Sequence, residues 1–381
     1  MPRDSASRGQ PILQFGTSRF LQAHVDLFVS QAMECGDALG GITVVQSTGQ
    51  PASVARMQAL AQAQGYPVIV RGLVDGTPVE RHDTCRSVHE ALDAREQWPT
   101  VRERVRGPVR VIVSNTGDSG WLLDAADGPR LLAAQAPAPD SFPAKLLVLL
   151  HDRWQAQPDS GLTLLPCELV SRNGERLREI VVGLAREWSL GPAFLEWMSE
   201  HLVWANSLVD RIVSQALDPV GAVAEPYALW AVERQPRLQL PCRHPCIVLT
   251  DDLSRYERRK LFLLNLAHTL MAQHWMADSH PPGMTVLQAM QTPALRDVIE
   301  AAWAEEVLPV FDALGDGAGA RAYLVELRDR LLNPFLAHRL ADIAQNHAQK
   351  KARRIEPCIA LARTLTPSLA QPRLLAALAA Q

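Results

Sequence analysis

Apolar positions fall into two regimes along this chain. Up to about residue 250 they form short unbroken runs separated by stretches of helical period, and beyond it only the helical period remains. The runs at Ile12–Phe15, Ile42–Gln46, Val68–Val70, Arg110–Ser114 and Leu162–Leu165 predict strands. Helices are predicted over Phe20–Cys35, Val88–Arg106, Phe142–Gln155, Glu175–Trp188 and Ala193–Leu202. Asn206–Val213, Tyr227–Trp230 and Cys246–Leu249 follow, the last two strand-like, and a long helical periodicity then covers 256–278, 284–314, 318–332, 335–352 and 357–365. Strands alternating with helices bury both faces of a parallel sheet, so the expected fold is an α/β domain joined near 240–255 to an all-helical one.

The ends of the strands carry the first candidate chemistry. Ile12–Phe15 runs into Gly16-Thr17-Ser18-Arg19 and a helix opening at Phe20, the strand, tight turn and helix with which a dinucleotide-binding unit begins. A pyrophosphate would sit at that helix N-terminus, where unpaired N–H groups and the dipole favour an anion. Only one glycine is present, however, and the second strand ends Gln46-Ser-Thr-Gly49 without the acid that would hold a ribose hydroxyl. Ser114-Asn115-Thr116-Gly117 lies past another strand end, either a ligand-holding turn or an ordinary one, and Asn173 lies past a third. The α/β part is therefore expected to be a Rossmann-like dinucleotide-binding domain over residues 1–245, with a helical substrate domain over 246–381.

Glu257-Arg-Arg-Lys-Leu-Phe-Leu-Leu-Asn-Leu-Ala-His268 organises the rest, because it sets an ammonium, an amide and an imidazole into an otherwise apolar segment. At roughly 100° per residue, Lys260, His268 and Glu257 fall within about 80° of one another, with Asn265 about 60° beyond His268. Leucines surround the whole circumference, and a helix apolar all round is normally buried, so its polar residues are expected to be buried with it. Burying an ammonium costs several kcal/mol unless it is paired or loses its proton, and a lysine moved toward neutrality serves as a general base and acid. The alternative is structural: Lys260 reaches solvent, Asn265 caps a carbonyl and His268 is a satisfied core histidine.

Composition narrows the field. The 381 residues are 47% hydrophobic and 21% charged with a net charge of -3, an ordinary globular balance with no basic excess for nucleic acid. The polar start Met1–Gln10 lacks the apolar run of a signal peptide and no later run would span a bilayer, so the cytoplasm is the expected compartment. Six scattered cysteines form no disulfide framework. Cys242 and Cys246 with His244 lack a second ligand pair at zinc-finger spacing, so no metal is expected. Lys350-Lys-Ala-Arg-Arg354 reads as a solvated helix end, with ligand binding as the alternative.

Several motifs in order then resemble one family. Gln14–His24, Ser114-Asn-Thr116, Ser141-Phe-Pro-Ala-Lys145, Pro166-Cys-Glu-Leu-Val-Ser-Arg-Asn-Gly174, Asn206-Ser-Leu-Val-Asp-Arg-Ile212, Glu257–His268 and Asn333-Pro-Phe-Leu-Ala-His338 resemble the mannitol dehydrogenase family of long-chain polyol dehydrogenases, and within it the tagaturonate and fructuronate reductases. The resemblance implies metal-independent hydride transfer between NAD, with NADP as the alternative, and a keto or hydroxy carbon of an open-chain sugar derivative. It implies Lys260 as the acid/base, Asn265 and Asn173 as donors to the reacting oxygen, His268 as the orienting group, Glu257 beside a proton path, and Asp210 either in the active site or in an ion pair. It also implies cofactor contacts from Gly16, Thr17, Ser18, Arg19, Phe20, Ser114, Asn115 and Thr116. Ser18 replaces a frequent glycine and Gln22 a frequent arginine. A uronate carboxylate needs a cationic or donor partner, for which His338, Arg330 and Arg172 are candidates. The other readings are a hexitol or hexitol phosphate dehydrogenase, and a nucleotide-binding module without catalysis.

Overall fold

The computed structural model describes residues 9–47, 51–117, 120–277 and 281–380. Met1–Arg8 and the Thr48-Gly49 end of the turn after the second strand lie outside them. The chain divides into two compact units. The first comprises the chain up to Ile69, His82–Ala224 and Ala228–Leu253, and the second comprises Val70–Arg81, Glu225–Tyr227 and the chain from Ser254 onward.

Taken in order, the strands are β1 (Ile12–Phe15), β2 (Ile42–Gln46), β3 (Tyr66–Val74), β4 (Thr77–Cys85), β5 (Val88–Asp93), β6 (Val111–Ser114), β7 (Leu162–Pro166) and β8 (Leu202–Trp204). After them come β9 (Ser207–Asp210), β10 (Val213–Ala216), β11 (Ala222–Ala224), β12 (Leu229–Glu233) and β13 (Ile247–Thr250). The first unit is built on a six-stranded sheet in the order β5-β2-β1-β6-β7-β8, parallel throughout. Every residue of β1, β2, β6 and β7 is buried, which is why these strands read as mainly apolar runs without a polar face. Helices Phe142–Ala156 and Asn173–Glu187 pack Leu146, Leu147, Leu177 and Val181 into its core. The sheet order reverses direction between β1 and β6, the switch point at whose C-terminal edge such sheets hold ligands.

One expectation fails in this unit. Val88–Arg106 is not one helix: Val88–Asp93 is the edge strand β5 and only Trp98–Arg106 is helical. The segment has helix-favouring residues, but pairing with β2 and burial of Val88 and Leu92 override that weak propensity. Val68–Val70 is the centre of a nine-residue strand, and the two-residue connection to β4 is Asp75-Gly76, with φ of 51° and 73°. Asp-Gly in that left-handed pair is the tight hairpin turn, a signal legible in the sequence but not read there.

The second unit is helical apart from the Val70–Arg81 hairpin tip, around a core that includes Leu263, Leu266, Leu270, Trp303 and Phe311. The predicted helix 284–314 is broken at Thr292-Pro293 and contains a π-helical segment, Ala302–Val307. The predicted 335–352 helix opens only at Leu340, after a loop held by the Asn333 side chain, whose Oδ1 accepts from Phe335 N at 3.0 Å. Among the described residues no helix is long and apolar enough to cross a membrane.

Candidate active site

At the sheet edge of the first unit, β1 and β6 end side by side, pairing Phe15 with Ser114. Gly16 has φ +117°, and a Cβ there would come within 2.6 Å of the Asn115 carbonyl oxygen, so this position admits glycine alone. Ser18 caps the following helix, its Oγ accepting from Leu21 N at 3.3 Å, which explains a serine at a place where glycine is frequent. Arg19 is exposed, and Phe20 stacks on His24 with ring centroids 4.8 Å apart. The helix then passes through a π-helical turn, Gln22–Asp26. Buried Gln22 joins two backbone groups, donating to Thr17 O at 3.0 Å and accepting from Gly221 N at 2.9 Å. Thr17 Oγ1 donates to Gln46 Oε1 at 2.7 Å, so the residue ending β2 is turned onto the β1 loop.

Glu168, just beyond β7, is the residue the sequence reading overlooked. Its carboxylate is 7% exposed and accepts from Ser114 Oγ, Thr116 N and Thr116 Oγ1, each at 3.0 Å, while Asn115 Nδ2 donates to Cys167 O at 3.0 Å. Donors rather than cations satisfy this buried acid, and the hydroxyl hydrogens of Ser114 and Thr116 are engaged in fixing the turn. The only sequence signal was an acid two residues past a wholly buried strand.

Asn173 does not fit the expected role of donor to a reacting oxygen. It is 1% exposed, its Nδ2 lies 3.0 Å from Pro166 O, 3.2 Å from Glu168 O and 2.9 Å from Ser207 O, and its Oδ1 accepts from Gly174 N and Ser207 N at 2.9 and 2.8 Å. Both amide hydrogens already have acceptors, so Asn173 is a clip between backbone segments. Arg172 is no carboxylate anchor either: its side chain is 73% exposed and pairs with Glu175. Asp210 is buried at the end of β9.

In the second unit the organising helix is three segments in series, Ser254–Arg259, a π-helical stretch Lys260–Asn265, and Leu266–Ala277. The i→i+5 turn leaves carbonyls of the ordinary ladder to be met by side chains, and π-bulges are frequent at functional sites. Trp303 Nε1 donates to Leu263 O at 3.1 Å, and the Asn265 carbonyl accepts from Thr269 Oγ1 at 3.0 Å and Arg354 Nη1 at 3.4 Å. The wider turn also shifts the angles drawn for a regular α-helix. Of the polar residues expected to be buried, only His268 is, at 6% exposure, whereas Glu257, Lys260 and Asn265 are half-buried. Phe262, Leu263, Leu264, Leu266 and Ala267 enter the core and leave these three on a more open side. The Asn265 side-chain amide makes no hydrogen bond among the described residues.

His268 meets His338 edge to face with centroids 4.9 Å apart. Burial holds the His338 imidazole below its ordinary pKa, Asp342 opposes that shift, and Lys350 and Arg354 reinforce it. Arg330, by contrast, is locked: it grips Glu225 through two bonds of 3.0 and 2.9 Å, both side chains are buried, and its guanidinium lies 4.1 Å from the Tyr227 ring centroid. A charge so neutralised is not available to a substrate carboxylate. The run Lys350–Arg354 is not a solvated helix end. Lys351 is buried and donates to Gln273 and the Ala380 carbonyl, and Lys350 and Arg354 are half-buried.

The model for the mannitol dehydrogenase Rossmann domain matches residues 10–241, and that for the mannitol dehydrogenase C-terminal domain matches residues 252–381. The altronate oxidoreductase of Yersinia enterocolitica is 33% identical over 383 residues, covering 93% of this chain and 76% of its own length. That of Bacillus subtilis is 31% identical over 366 residues, covering 90% and 72%. Among solved structures, the Pseudomonas fluorescens mannitol 2-dehydrogenase ternary complex with NAD and D-mannitol aligns with a TM-score of 0.72 at 19% identity, over 98% of this chain and 79% of that one. A D-sorbitol dehydrogenase in substrate-free form aligns with a TM-score of 0.78 at 17% identity, over 99% and 81%.

Proposed function

This chain belongs to the mannitol dehydrogenase family, and from that membership we propose an NAD-dependent oxidoreductase of hexuronates, of the kind its altronate oxidoreductase relatives are named for. NAD, when bound, supplies or accepts the hydride. The residues at the sheet edge of the first unit suit such a group: a glycine that admits no side chain, a capped helix N-terminus and a turn held rigid by Glu168. Gly16, Thr17, Ser18, Arg19, Phe20 and the 114–116 turn would hold it.

Reduction of a ketone builds negative charge on its oxygen, so the chain must offer that oxygen a donor and a proton. Asn265 is the donor: its side-chain amide has no partner among the described residues, and a donor aimed at the reacting oxygen is worth about 3–4 kcal/mol in comparable sites. Lys260 gives the proton in reduction and takes it in oxidation, Glu257 stands one helical turn away toward solvent exchange, and His268 orients the substrate. The observation that carries the reading is the Lys260, Asn265 and His268 set around a π-helical turn in a chain one-third identical to altronate oxidoreductases.

The test is NADH absorbance during turnover of a panel of keto-uronates, ketoses and hexitols, with Lys260→Ala beside the unaltered protein. The expected result is turnover of a keto-uronate, and in the variant a loss of roughly 100- to 10,000-fold with NADH binding retained. Near-normal turnover by the variant removes Lys260 from the chemistry. Turnover of a hexitol alone moves the substrate class, and NADH binding without any turnover leaves a nucleotide-binding module.

A further inference from the structure

Among the described residues, five arginines grip a carboxylate through the same edge, Nε together with Nη2. They are Arg102 with Asp152, Arg104 with Glu90, Arg259 with Asp316, Arg328 with Glu300 and Arg330 with Glu225. Arg354 is half-buried like several of these, yet only its Nη1 is engaged, with the Asn265 carbonyl at 3.4 Å and Thr269 Oγ1 at 3.2 Å. Its Nε–Nη2 edge meets no acceptor among the described residues, and no carboxylate pairs with it. Burial without a counter-ion disfavours the charged form and lowers the pKa of the group.

The neighbourhood is mainly cationic. Lys350, one turn earlier on the same helix, donates to Ile343 O at 2.7 Å and has no ion pair among the described residues. Burial and Arg354 both act to lower its pKa. His338 faces Lys350 and Arg354 with the exposed Asp342 as the acid acting on it, and His347 faces Lys350, Lys351 and Arg354. This cluster lies beside Asn265 and His268, in the same unit as the proposed proton donor.

Deepening the function proposed above, and resting on it, we infer that Arg354 is the specificity-determining residue that holds the substrate carboxylate, its Nε–Nη2 fork donating two parallel hydrogen bonds while Lys350 adds charge. The anchoring of Arg354 Nη1 on the Asn265 carbonyl ties the carboxylate grip to the residue whose amide faces the reacting oxygen. One end of an open-chain sugar acid is thereby recognised by charge and the other placed for reaction.

The experiment compares a keto-hexuronate with its neutral carboxamide on the intact enzyme and on Arg354→Ala, Arg354→Lys and Lys350→Met. The unaltered enzyme is expected to prefer the carboxylate, and Arg354→Ala to cut that preference in kcat/KM by roughly 10- to 100-fold, the range of a charge-assisted hydrogen-bonded contact. Arg354→Lys keeps the charge without the fork and is expected to fall between. Added guanidinium ion should restore turnover of the uronate by Arg354→Ala. An equal loss on both substrates, or an undiminished preference in a folded Arg354→Ala, overturns the inference. An unaltered enzyme that reduces neither compound but oxidises a hexitol overturns the substrate reading itself, a distinct result.

Discussion

Two asparagines define two kinds of polar region in this molecule. Asn173, past β7 in the first unit, has its carboxamide saturated by backbone groups of Pro166, Glu168, Gly174 and Ser207. Asn265, in the π-helical stretch of the second, presents a side-chain amide without a partner and has even its backbone carbonyl shared by Thr269 and Arg354. The sheet edge follows the first pattern, with Glu168 bound by Ser114 and Thr116, and Gln22 and Thr17 bound to each other and to Gly221 and Gln46. The cluster of Asn265 and Arg354 follows the second. A saturated network holds backbone in place, whereas donors left open at a half-buried surface are available to something that is not part of the chain.

Substitutions break or sharpen that contrast. Asn265→Ala should lower kcat by roughly 100- to 1,000-fold with little change in thermal stability, since it deletes the donor proposed for the reacting oxygen, as steady-state kinetics and a melting curve would register. Asn173→Ala should do the reverse, costing about 2–4 kcal/mol of stability by orphaning buried backbone groups, read as a drop in the urea midpoint. Similar kinetic profiles for both variants would dissolve the distinction.

A smaller and pH-dependent effect belongs to the first unit. Asp26 is buried, accepts from Tyr66 Oη at 2.7 Å, has an Oδ1 without a donor, and burial raises its pKa from 3.8 to about 7. A carboxyl with a raised folded pKa binds a proton that the unfolded chain has released, so its contribution to stability is full below about pH 4 and falls away as pH rises toward 7. Asp26→Asn should flatten that decline and stabilise the protein at pH 8, by at most a few kcal/mol. Denaturant titrations at pH 5 and 8 test it, and a steeper decline in the variant would contradict the assignment.

The strands at the sheet centre were legible because both of their faces are buried, which favours a mainly apolar run over alternation. Edge elements were not: β5 pairs with β2, which lies far back along the chain, and β4 is largely exposed and carries polar residues on both faces. The same limit applies to side chains. The spacing of Lys260, Asn265 and His268 is local and could be read, but the partners that lock Arg330 onto Glu225 and Asn173 onto Ser207 come from distant segments. The Lys350–Arg354 run looked solvated because charge alone was weighed. On a helix, however, Lys350 and Arg354 share a face with i,i+4 spacing, and the packing of that face decides their exposure.

Taken by itself, then, the order of residues determined most of the buried strands and helices, where a tight turn joins the first strand to its helix, and which helix carries an amine, an amide and an imidazole. Only the folded chain decided which polar groups are already matched, where a π turn rotates the helix, and which guanidinium edge is left open. The reason is that periodicity reports how a segment meets water, a local property, whereas hydrogen-bond saturation and ion pairing are set by groups that tertiary packing brings together from remote positions.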